Sequence, residues 1–95
     1  SAQQQILRKR RQAVVKQLAE NYQVTNNNRI KASIAEATRA ILRSAPDLVL
    51  LRDANDADTA LLRHLTEVTQ TPVKVVGDQI APYRAITLIQ KLGAG

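Results

Sequence analysis

Four consecutive cations, Arg8-Lys9-Arg10-Arg11, are the densest chemistry in this chain, and Lys16, Arg29 and Lys31 follow in the same half. Guanidinium and ammonium groups clustered in this way contact phosphates and give a sequence-independent, salt-sensitive grip on a polyanion. The competing reading is a solvated helix that happens to be basic. Tyr22 and Tyr83 are the two aromatic residues. Either could stack on a nucleic-acid base, a contact of about 1–3 kcal/mol, and either could instead pack in or over the core. Arg52-Asp53 and Gly77-Asp78-Gln79 each follow an apolar run. Open parallel sheets bind ligands beyond such strand ends, although an Asp there equally caps the helix that follows.

The composition excludes several chemistries. There is no cysteine and one histidine, His64, so disulfides, thiolate metal sites, a Cys nucleophile and a His-based metal cage or triad are ruled out for these 95 residues. The glycines Gly77, Gly93 and Gly95 all come late, and no G-x-x-x-x-G-K-[ST] loop is present to cradle a triphosphate. No catalytic residue, metal or cofactor is therefore expected, and the chain reads as not an enzyme. No run approaches the roughly 18 apolar residues of a membrane span, and the Gln- and Arg-rich start is not a signal peptide. A cytoplasmic protein without a membrane partner is expected.

Charge is distributed unevenly. Residues 1–43 hold nine Lys/Arg against two Glu, and the remainder holds five against six acids, for a total of +6. A basic half on a near-neutral half suggests a face for a polyanion.

The elements that must position these residues follow from periodicity. Residues 3–21 lack Gly and Pro and carry Leu7, Val14 and Leu18 near helical spacing. Tyr22 to Thr25 reads as a doubtful short strand, and Asn26-Asn27-Asn28 as a turn. Ser33 caps a second helix, with Glu36 three residues on. Residues 47–51 and 73–76 read as strands buried on both faces, with a helix from Asp58 or Thr59 to about Thr69 between them. Pro82 opens a last helix to Leu92, closed by Gly93. The expected fold is α/β: a small three-layer domain with a short parallel sheet flanked by helices, RecA-like or Rossmann-like. Ninety-five residues make one domain, expected to belong to a larger protein.

The run Leu48-Val49-Leu50-Leu51-Arg52-Asp53-Ala54-Asn55-Asp56-Ala57-Asp58 resembles the Walker B segment of RecD-like superfamily 1 helicases. Val75-Val76-Gly77-Asp78-Gln79-Ile80-Ala81-Pro82 resembles the motif that follows there, and Leu92-Gly93-Ala94 the end of its Leu-rich helix. Arg52 stands where that family has its Mg²⁺-organising Asp, and Asp53 where it has the catalytic Glu. The resemblance therefore implies a vestigial motor. Its implied role is non-catalytic binding of single-stranded DNA within a larger DNA-processing protein of the conjugative relaxase–helicase kind. Arg8, Lys9, Arg10, Arg11, Lys16, Arg29 and Lys31 would contact phosphates, and Tyr22 would stack on a base. Two other resemblances give alternatives. Pro46 to Leu51 and Pro72 to Val76 resemble strands of response-regulator receivers, which implies a pseudo-receiver with a protein partner. Glu36-Ala37-Thr38-Arg39 resembles the Asn-Glu-Ala-Thr-Lys region of L7Ae-type RNA-binding domains, with Ala35 in place of the Asn.

Overall fold

The computed structural model describes residues 1–44 and 46–89. Three α-helices, α1 (Ala2–Asn21), α2 (Ile34–Arg43) and α3 (Ala60–Thr69), surround four strands, β1 (Ile30–Ala32), β2 (Leu48–Leu51), β3 (Val73–Val75) and β4 (Ala85–Leu88). The strand order is β1-β4-β2-β3. β2 and β3 are parallel, with Val49 beside Val73 and Leu51 beside Val75. β4 runs antiparallel to both its neighbours, pairing Ile86 with Ala32 and with Leu50.

The period of 2 along each strand divides the core into two layers. Ile30, Ala32, Leu50, Ile86 and Leu88 face α1, where Leu18 is buried and Val14, Val15, Ala19 and Tyr22 pack against them. Val49, Leu51 and Ala85 face the other way, onto Ala37 and Ile41 of α2 and Leu62 of α3. On that second face the buried Thr87 hydroxyl donates to the Ala37 carbonyl at 3.1 Å. The result is a three-layer α/β domain, as the sequence implies.

Four details of the sequence reading change. The sheet is mixed rather than parallel. The helix expected from Pro82 to Leu92 is replaced by β4, which the Ala85-Ile86-Thr87-Leu88 run fills as a central strand buried along its whole length. A continuous apolar run is compatible with either element, and the vacancy between β1 and β2 decides for the strand. The expected residues beyond 89, including the Gly93 cap, lie outside the described residues. Tyr22 to Thr25 is not a strand: Gln23 takes a left-handed φ of 57° and Val24 is buried against the α1 face. The extra strand is Ile30–Ala32 instead. Finally, β3 is an exposed edge rather than a buried strand, with Val73 and Val75 at 41% and 52% exposure.

Candidate nucleic-acid interface

Because β4 opposes its neighbours, the C-terminal ends of β1, β2 and β3 share one edge of the sheet with the N-terminal end of β4. The start of α2, the loop 52–56, the turn Gly77–Ile80 and the segment 81–84 all emerge there.

At one end of this edge, opposite charges are paired. Arg52 Nε donates to Asp78 Oδ1 at 3.0 Å, which ties the two acidic loops together. Arg84 forks onto Asp56, with Nε to Oδ2 at 2.6 Å, and reaches Asp58 at 3.0 Å. The Arg84 hydrogen bond holds the Asp56 carboxyl below its ordinary value of 3.8. The same contact, with a smaller one from Asp58, raises Arg84. Asp56 also caps the turn Ala57–Thr59 by accepting from the Asp58 amide, and Asp53 accepts from the Asn55 amide at 2.9 Å. Gly77, at φ 67°, starts the Asp78 turn, and Gln79 is exposed on it. A groove of about 710 Å³ runs between Arg52, Asp53, Asp56, Asp78 and Arg84. Its cations are already neutralised by neighbouring carboxylates, so it has little attraction left for phosphate. Among the described residues no cluster of His, Asp or Glu could hold a metal ion.

The other end of the edge has a different electrostatic character. Tyr83 follows Pro82 in a turn closed by the Tyr83 amide on the Ile80 carbonyl at 2.8 Å. Its half-buried ring packs against the α1-side core. The Arg11 guanidinium lies over it, 6.0 Å from the centroid, within reach of a cation–π contact. Two adjoining grooves meet at this pair. One, of about 250 Å³, is lined by Arg8, Arg11, Gln12, Lys16 and Asn27. The other, of about 380 Å³, runs from Arg11 and Tyr83 to Ser33, Ile34 and Glu36 at the start of α2. Among the described residues no carboxylate comes within ion-pair distance of Arg8, Arg11 or Lys16. Ser33, which accepts from the Glu36 amide at 3.3 Å, sits at φ 82° and ψ 154°. That conformation is costly for a residue with a Cβ and tends to persist at functional sites.

The eight candidate contact residues are thus not one track. Arg8, Arg11 and Lys16 share the α1 groove with Tyr83. Lys9 and Arg10 are exposed on the same helix. Tyr22 closes α1 and packs on the core. Arg29 donates to the Ile89 carbonyl at 3.3 Å, joining the turn before β1 to the end of β4. Lys31 points to the opposite face of the sheet, beside Glu36, Arg39 and Arg43. The sequence reading did not single out Arg39, Arg43, Gln12 or Ser33 as contact residues. Arg39 and Arg43 carry a legible signal, being four apart on one helix face.

A family model described as the PELOTA RNA binding domain matches residues 9–91. The chain belongs to the PELOTA RNA binding domain family. It is also 72% identical, over 98% of its length, to the protein named Cysteine protease StiP of Acinetobacter baylyi. It spans about a quarter of that relative, 24% of its length. Membership of the PELOTA family makes this a nucleic-acid-binding domain. It also overturns the helicase reading, with its relaxase and conjugation context. The physical failure of that resemblance lies after Pro82, where a Leu-rich helix is required and β4 is found. Arg52, Asp53, Gly77, Asp78 and Gln79 are not the remnants of a motor site. The expectation that the protein is not an enzyme is corrected too, because a relative matching nearly the whole chain is named a protease. No helix of the described residues is long and apolar enough to cross a membrane.

Proposed function

We propose that this PELOTA-family domain binds structured RNA through the grooves on either side of Tyr83. The supporting observation is a basic, un-neutralised groove built around an aromatic ring, in a chain of a family described as RNA-binding. Arg8, Arg11 and Lys16 take backbone phosphates. Tyr83, with Arg11 over its ring, supplies planar surface on which an unstacked base from a loop or bulge can lie. Ser33 and the first turn of α2 present a hydroxyl and backbone amides beside it, suited to a phosphate or a base edge. RNA loops and bulges offer splayed bases together with a dense phosphate backbone. That combination fits a short groove with one aromatic better than the repeated stacking platforms a long single DNA strand requires. In a protein organised like the Acinetobacter relative, any cysteine nucleophile lies outside these residues, which contain none.

The test is amide chemical-shift mapping with an RNA hairpin that carries an internal bulge. The expected result is a set of shifts at Arg8, Arg11, Gln12, Ser33, Ile34 and Tyr83, with β3 unaffected. Shifts centred on Arg52, Asp53 and Asp78, or none at saturating RNA, overturn the reading.

A further inference from the structure

Lys31, Arg39 and Arg43 form a second basic groove, on the opposite face of the sheet from Arg8, Arg11 and Lys16. We infer that this groove is a separate phosphate-binding site, so that one RNA straddles the β1 edge and is held from both faces. The inference rests on the RNA-binding reading above.

Three observations carry it. First, the period of 2 on β1 sends Ile30 and Ala32 into the α1-side core and Lys31 to the α2 side. Among the described residues β1 is an edge strand, with no further strand between the two faces there. Second, the groove of about 340 Å³ sets three cations against one acid, Glu36. Among the described residues none of the three cations is in an ion pair, in contrast to Arg52 and Arg84. Unpaired cations around a concave surface focus positive potential, and a polyanion relieves it. Third, Glu36 lines both this groove and the one beside Tyr83. The two sites are therefore continuous around the start of α2 rather than isolated patches. A strand of RNA leaving Tyr83 past Ser33 and Glu36 enters the groove lined by Lys31, Arg39 and Arg43.

The experiment measures affinity for a fluorescein-labelled RNA hairpin with an internal bulge over a salt series from about 0.05 to 0.3 M. Each phosphate contact contributes about 0.7–0.9 to the slope of log affinity against log salt. Replacing Lys31 and Arg43 by Gln (K31Q/R43Q) is expected to lower that slope by about 1.4–1.8 and to weaken binding about tenfold or more. R43Q alone, at an exposed position of α2, is expected to lower the slope by about half as much, and it covers the case in which the pair does not fold. K74Q, on the far edge strand, is expected to leave the slope unchanged. If wild type binds and neither R43Q nor the double variant changes the slope, the second site is wrong and the Tyr83 reading stands. If wild type does not bind the hairpin at all, the RNA reading fails and the second site with it.

Discussion

Two side chains at the loop-bearing edge of the sheet carry opposite lessons. Arg84 follows Tyr83 and lines the same groove, yet its charge is already paired with Asp56 and Asp58. Arg84 holds the Asp56 pKa below its ordinary value of 3.8. A carboxyl with a depressed folded-state pKa binds protons more readily when unfolded. The pair therefore contributes stability that is fully present above 3.8 and is lost as pH falls through the lower, folded value. Asp56→Asn is expected to lower Tm near neutral pH and to flatten the acid limb of Tm against pH below about 4. An unchanged acid limb would show that the pair contributes nothing to folding. Ser33 combines a helix cap with a backbone conformation suited to glycine. Ser33→Gly removes the hydroxyl but relieves the backbone, so its Tm is expected to match or exceed wild type. Ser33→Ala keeps the strain and loses the cap. It is expected to cost about 1 kcal/mol, or about 4–8 °C for a domain of this size. Thermal melts of the two variants check the order, and a larger loss for Ser33→Gly contradicts it.

At the scale of elements, β4 decides the architecture. It is the strand between β1 and β2, and Ile86 is fully buried against α1. Ile86→Ala is expected to cost about 2–5 kcal/mol. The exposed Val75 on β3 should tolerate Thr within about 0.5 kcal/mol. Urea midpoints for both variants read this contrast, and equal losses would contradict the strand assignment. The sequence made α1, α2, β2 and α3 legible because caps, apolar spacing and Pro46 all mark them. It misread β4 because Ala85 to Leu88 has no period to distinguish a buried strand from a buried helix. β1 was hidden for the opposite reason, with only three residues and one alternation, Ile30-Lys31-Ala32. β3 carried the apolar content of a central strand, and only its position in the sheet exposes it. Arg8, Arg11 and Lys16 were readable as a basic cluster. Their convergence on Tyr83, and the separation of Lys31 onto the other face, depend on β4 and β1 and could not be read without them.

Among the described residues, Arg8, Arg11, Lys16, Lys31, Arg39 and Arg43 line grooves on the two faces joined by the β1 edge and form no ion pair, whereas Arg52 and Arg84, nearer β3, are paired with carboxylates. The charge imbalance between the halves of the sequence thus becomes an imbalance between the two ends of the sheet. The basic cluster alone pointed to a polyanion and the helicase resemblance to single-stranded DNA, whereas the family that the chain belongs to is described as RNA-binding. The most direct test is competition, with a bulged RNA hairpin bound to the domain and displaced by unlabelled competitors at about 0.1 M salt. The account predicts that the unlabelled hairpin displaces the probe at least tenfold more effectively than single-stranded DNA of the same length, and that Tyr83→Ala removes most of that preference. Equal displacement by the DNA, with wild type and Tyr83→Ala alike, would contradict it.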